Sequence, residues 1–230
     1  MSANAWFVAG TDTGIGKTHI SCALLRAAAA RGLRSVGMKP VAAGAQWLDG
    51  RWLNEDTARL MDASNHTAAE TLVTPYCLRT PVSPHLAAAD EGVEIDFALV
   101  RESLEQLRAE ADCVVVEGAG GLLVPLGPQR DFADLALALE LPVILVVGMR
   151  LGCLNHARLT VEALQARGLH LAGWVANRID PQMQRFEDNL ASLQACIDAP
   201  LLGVAPHGDE ETAAKALSLP FERPSQPTLR

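Results

Sequence analysis

The chain has 230 residues, 49% of them hydrophobic and only 4% aromatic, with 19 basic against 27 acidic side chains and a formal charge of −8. That length suits one large α/β domain or two small ones, and the apolar share is enough to bury a sizeable core. The acidic balance is the reverse of what nucleic-acid binders show, and no segment approaches the ~18 apolar residues of a spanning helix, so neither nucleic acid nor a membrane is expected as a partner.

The five cysteines, at 22, 77, 113, 153 and 196, are odd in number, form no C-x-x-C and lie mostly in apolar contexts. They read as free thiols in a reducing compartment. With no basic region followed by an apolar leader at the N-terminus, a cytoplasmic protein is expected.

Taken in order, short aliphatic runs alternate with helix-like segments. "AWFVA" (5–9) predicts a first strand, leading through a glycine-rich loop into a helix from residue 17 to about 31. "RSVGMKP" (34–40) follows as a second strand, then a helix over 96–109, the strand "CVVVEGAGG" (113–121) and a helix over 131–140. "LPVILVVG" (141–148) is the clearest strand, followed by a helix over 156–167, "LAGWVAN" (171–177), a helix over 183–197 and "PLLGVAP" (200–206). Runs that are continuously apolar rather than alternating mark strands buried on both faces. The βα alternation therefore predicts a single-domain, doubly wound α/β fold with a mostly parallel sheet, over 1–220, and a C-terminal tail over 221–230. In such folds ligands bind at the carboxyl ends of the strands, and polar residues collect there: Lys17 and Thr18, Lys39, Glu117, Asn177 and residues 206–208.

The loop "GTDTGIGKT" (10–18) ends as a phosphate-binding loop does. Five residues separate Gly10 from Gly16, however, where the standard G-x-x-x-x-G-K-[ST] has four. Between a buried strand and a helix, its backbone N–H groups would cradle phosphates, Lys17 would reach the outer ones and the Thr18 hydroxyl would bind Mg²⁺. The alternative is a glycine-rich turn with a chance Lys-Thr. Glu117, a carboxylate at a buried strand end followed by glycines, is the best second metal ligand. Asp56 in "NEDTARL" is a weaker one, since an Asp at a helix start commonly serves as a cap or first-turn charge. Lys39, taken alone, reads equally well as a lysine reaching solvent. No H-E-x-x-H zinc pattern and no G-x-S-x-G nucleophile elbow occur.

Together "GTDTGIGKT", "KPVAAG", "VVVEGAGGLLVPL", "LPVILVVGMRLGCLNHARLT" and "LAGWVANRID" resemble, in order and over residues 4–208, the dethiobiotin synthetase family, in which the displaced glycine is normal. The resemblance implies a P-loop NTPase-like ligase that uses ATP and Mg²⁺. The implied reaction joins CO₂ to diaminopelargonate through a carbamate and a carbamic–phosphoric anhydride, giving dethiobiotin, ADP and phosphate. It further implies catalytic roles for Lys39, Lys17 and Thr13, and nucleotide contacts from Gly14, Ile15, Gly16, Lys17, Thr18, His19, Gly118, Ala119 and Gly120. Thr18, Asp56 and Glu117 would surround Mg²⁺, and Asn177, Arg178, Pro206, His207 and Gly208 would form the adenine end.

Substrate contacts carried over in the same way are Thr13, Lys39, Ala43 and the tip of a helix beginning near residues 154 and 155, at Gly152, Cys153, Leu154 and Asn155. Backbone N–H groups at that tip would face the substrate's distant carboxylate. The resemblance also implies a homodimer whose subunits lend this tip to each other's active site. Ala43 departs from the family's Ser or Thr, which removes a hydroxyl near the reacting diamine. Two other readings are related P-loop proteins. Cobyrinic-type amidating enzymes need a glutaminase domain for which 230 residues leave little room. Partition and septum-site ATPase switches carry a lysine where this chain has Asp12.

Overall fold

The apolar runs form strands because their residues are branched or aliphatic on both faces. The computed structural model describes residues 4–48 and 50–220, so the tail expected over 221–230 lies outside the described residues. The first half of the chain holds β1 (Asn4–Gly10), α1 (Lys17–Ala29), β2 (Ser35–Met38), β3 (Val41–Ala42), β4 (Gln46–Leu48), β5 (Arg51–Leu53), α2 (Glu55–Ala63), α3 (Glu70–Val73), β6 (Tyr76–Cys77), α4 (Pro84–Asp90) and α5 (Phe97–Glu110). The second half holds β7 (Cys113–Glu117), β8 (Pro125–Gly127), β9 (Arg130–Asp131), α6 (Phe132–Ala138), β10 (Val143–Gly148), α7 (Cys153–Ala166), β11 (Leu171–Asn177), α8 (Phe186–Cys196), β12 (Leu201–Ala205) and α9 (Glu210–Ala216).

The six long runs build one sheet in the order β12-β11-β10-β1-β7-β2, with every neighbouring pair parallel. β1 sits inside the sheet and the chain winds outward from it in both directions, as the doubly wound reading requires. Alternate residues feed opposite faces. Phe7 and Ala9 with Val114 and Val116 pack against α5 and α6, while Trp6 and Val8 with Cys113 and Val115 pack against α1, α2 and α9. A third cluster joins Leu145, Val147 and Trp174 to α7 and α8. All five cysteines are free thiols. Among the described residues, no helix is long and apolar enough to cross a membrane.

The structure shifts helix ends by a few residues; α7, for example, starts at Cys153, ahead of the expected 154–156. It also adds short elements with no clear periodic signature: α2, α3, α4, α9 and three two-stranded ribbons. One ribbon, the β4–β5 hairpin, exposes Trp47 and Trp52, whose rings meet edge to face at 5.4 Å.

The two-face burial makes a simple contrast within α5. Leu104 is fully buried and Leu99 is 43% exposed. Urea unfolding of Leu104→Ala is expected to lose about 2–5 kcal/mol. The same change at Leu99 should stay within about 0.5 kcal/mol of the parent.

Candidate active site

Strand register assembles the charged centre. β2 and β7 pair with Met38 opposite Val116, so the next residue of each, Lys39 and Glu117, emerge side by side. β1 flanks β7 with Val8 opposite Glu117, which brings the loop after Gly10 over the same spot. Asp56 arrives from the first turn of α2. That turn is fixed by Asn54, whose side-chain oxygen accepts from the N–H of Asp56 at 2.9 Å and of Thr57 at 3.4 Å. The Asn54 amide in turn donates to the Ala43 carbonyl at 3.0 Å, so Ala43 takes part in the site's scaffolding through its backbone.

At the centre Lys39 Nζ lies 2.6 Å from Glu117 Oε1 and 3.3 Å from Asp56 Oδ2, and donates to the Gly118 carbonyl at 2.9 Å. The Thr18 hydroxyl oxygen lies 2.8 Å from Asp56 Oδ1 and 2.9 Å from Glu117 Oε1. Glu117 is fully buried and Lys39 is 3% exposed. Burial is the largest single influence on Lys39 and favours its neutral form, but Glu117 and Asp56 together outweigh it and hold the ammonium above its ordinary pKa. Asp56 shows the mirror image: burial raises its carboxyl, and Lys39 with the Thr18 hydroxyl brings it below the usual range. Lys17 lacks so close a partner. Burial first and Lys39 second pull it down to about 8, while its Nζ donates to the Asp12 carbonyl at 3.0 Å.

This arrangement fits Mg²⁺. Glu117 Oε2 is buried and has no hydrogen-bond partner among the described residues, an arrangement that costs free energy unless a cation uses it. Two carboxylates and a hydroxyl are also the sparse oxygen set that Mg²⁺ takes beside phosphate and water. Among the described residues no group of three or more His, Cys, Asp or Glu gathers to form an all-protein metal cage.

The loop itself depends on positive φ. Gly14 has φ 71° and Gly16 has φ 82°, and a Cβ on Gly16 would lie 2.2 Å from Asn177 Nδ2. Asn177 is buried and donates to the Ile15 carbonyl at 2.8 Å, so it braces the loop from beneath. On the outer side Asp12 accepts from the Thr13 N–H at 2.7 Å and pairs with Arg150 at 2.7 Å.

A cavity of about 590 Å³ brings together Thr13, Gly14, Gly16, Lys17, Thr18, His19, Lys39, Ala43, Asp56, Glu117, Ala119 and Gly120. Ile15 lies buried under the loop, and Gly118 packs where a Cβ would come 3.0 Å from Phe7 Cζ. Gly208 and His19 line a neighbouring cleft of about 520 Å³ with Arg26, Arg59 and Glu210. Arg178 lies 4.8 Å over the ring of Phe186, and its N–H donates to the Ala205 carbonyl at 3.0 Å, just before Pro206 and His207. Gly152, Cys153, Leu154 and Asn155 do not line the 590 Å³ cavity.

Sequence reasoning missed Asn54, Arg150 and the cavity wall Pro81–Val82–Ser83. Only Asn54 carried a signal, as an Asn directly before an acidic helical first turn.

A parallel sheet, a glycine loop entering α1, and Lys, Thr, Asp and Glu converging at the strand ends define a P-loop nucleotide-binding protein. A family model described as an AAA domain matches residues 4–215. An ATP-dependent dethiobiotin synthetase BioD of Aromatoleum aromaticum is 62% identical over 94% of this chain and 97% of its own. A protein of the same name from Xylella fastidiosa is 52% identical over 90% and 92%. The chain belongs to the ATP-dependent dethiobiotin synthetase family. Its fold is also similar to a ParA family ATPase from Chlorobium tepidum (TM-score 0.58, 13% identity, 94% and 91% coverage) and to MinD in the MinC:MinD complex of Aquifex aeolicus (0.57, 15%, 93% and 86%).

The loop geometry separates its two inner glycines. An alanine at either meets an unfavourable φ, but only at Gly16 does the new methyl strike a neighbour. Calorimetric titration with ADP should show Gly16→Ala losing at least ~10-fold in affinity, with Gly14→Ala clearly milder. Equal losses would mean that the brace from Asn177 is unimportant.

Proposed function

We propose that this chain carries out the dethiobiotin-forming step of biotin synthesis, joining CO₂ to diaminopelargonate at the expense of ATP. The observation that carries the reading is Lys39, held 2.6 Å from Glu117 and sharing one cavity with the phosphate loop, Thr13 and Ala43.

In this reading the loop N–H groups and the start of α1 receive the phosphates. Lys17, at about 8 in the free protein, becomes fully charged as the polyanion arrives. Thr18, Asp56 and Glu117 would hold Mg²⁺, which would supply neutralisation of phosphate charge during transfer. One substrate amine takes up CO₂ as a carbamate beside Thr13 and Lys39. Its oxygen attacks the γ-phosphorus and ADP leaves. The second amine then attacks the carbamic carbon and expels phosphate, closing the ring. Negative charge gathers on oxygen throughout, so Lys39 acts by electrostatic stabilisation. Asp12, paired to Arg150, stands where the switch ATPases would need a lysine, which favours the ligase reading.

The assay is ADP release that requires the diamine and bicarbonate together. Lys39→Ala should cut turnover ~10²–10³-fold while leaving the KM for ATP nearly unchanged. ADP release indifferent to the diamine would overturn the assignment.

We further propose a cytoplasmic homodimer in which each α7 tip serves the partner's substrate. Two observations support it: the tip does not line its own chain's cavity, and beside it Leu151 is 96% and Leu159 57% exposed. Mixing inactive Lys39→Ala with Asn155→Asp, which sets a carboxylate at the anion site, should restore about a quarter of the parental activity through mixed dimers. Confirmed subunit exchange without recovery would place the carboxylate site within one chain.

A further inference from the structure

Resting on the metal reading above, we propose that Lys39 is the resident cation of the metal site, and that it is released to the reacting carbamate only when a divalent ion takes its place. Its ammonium lies between the two carboxylates that would hold the metal, 2.6 Å from Glu117 Oε1 and 3.3 Å from Asp56 Oδ2. Those carboxylates also flank the Thr18 hydroxyl at 2.9 and 2.8 Å. One set of oxygens therefore serves both cations.

Charge decides whether they can share it. Two carboxylates and one ammonium leave a single negative charge at a site where Lys39 and Glu117 are buried and Asp56 is partly exposed. A divalent ion added without displacement would turn that into an excess positive charge, with Lys17 already close enough for Lys39 to depress it. Low dielectric makes such crowding unfavourable. Release of the ammonium restores neutrality at the carboxylates, and the incoming phosphates balance the freed charge.

Lys39 also has a foothold that the exchange does not remove. Its Nζ donates to the Gly118 carbonyl at 2.9 Å, and Gly118 leads directly into Ala119 and Gly120, which line the cavity next to Thr13. The stem can stay buried while the ammonium pivots from the carboxylates toward the cavity. Without metal, the charge needed by a carbamate is consumed by Glu117; with metal, it becomes available. Loading of the metal site thus positions Lys39 for the reaction.

The chain has three lysines, Lys17, Lys39 and Lys215, so ¹⁵N-lysine NMR resolves their ammonium groups individually, with Lys215→Arg identifying the exposed one. The expected result is a Lys39 signal that is protected in the free protein, unchanged by ADP with EDTA, and moved with faster solvent exchange by ADP with Mg²⁺. In parallel, Mn²⁺ binding followed by electron paramagnetic resonance without nucleotide should be at least ~10-fold tighter in Lys39→Met, where the carboxylates are uncompensated, and no tighter in Lys39→Arg. Mg²⁺-dependent ADP binding with an unmoved Lys39 signal overturns the displacement and leaves the functional reading intact. The functional reading falls separately, on ADP release that is indifferent to the diamine.

Discussion

An ammonium and a carboxylate buried side by side at the carboxyl end of a parallel sheet are the constraint around which the rest of the molecule is arranged. Taking both charges from water costs several kcal/mol per ion unless geometry and further hydrogen bonds repay it. Here the repayment comes from three directions: register sets Lys39 beside Glu117, the Gly118 carbonyl accepts a hydrogen bond from the ammonium, and Asp56 adds a second carboxylate. The pair is weak as a source of stability, since apolar residues of similar size would serve the core as well. Its presence is better understood as a reserve of charge kept where solvent cannot dissipate it.

The scaffold around that pair is redundant. The phosphate loop is held from beneath by Asn177 and from outside by Asp12 and Arg150, so its longer span does not leave it slack. The two supports come from the ends of β11 and β10, strands on the side of β1 opposite to β7 and β2. The phosphate loop is therefore steadied from one half of the sheet and faces the charged centre supplied by the other. That division follows from winding the chain outward from β1 in both directions, and it sets the candidate site where the strand order reverses, where such folds bind ligands.

The large-scale fold was legible because its strands are unbroken apolar runs at residues 5–9, 113–117 and 143–148, and nothing but a parallel sheet buries both faces of such runs. Lys39 and Glu117 were legible as polar residues closing such runs, and Lys17 and Thr18 as the end of the glycine-rich loop that follows the first one. Residues between 40 and 95 were not. Their elements are short, several bury only one or two side chains, and the periodicity that marks a helix needs more than two turns to be visible. The bracing contacts of Arg150 and Asn177 were hidden for another reason, because both reach a loop more than 130 residues earlier in the chain. Asn177 in particular was expected at the nucleotide base, and the bond from its amide N–H to the Ile15 carbonyl is a further contact that leaves that expectation standing.

The bond between Asn54 and the Ala43 carbonyl has a consequence for what this protein can tolerate. It ties together the residues that flank the tryptophan-bearing hairpin, which is also seated by the Arg51–Glu70 ion pair and by Arg79 over the Trp52 ring. Loop-closure entropy grows only slowly with added length, so lengthening the connection between β4 and β5 costs little. The segment is thus a natural insertion point, where foreign sequence such as an epitope or a fluorescent label could be grafted while the carboxyl end of the sheet keeps its shape.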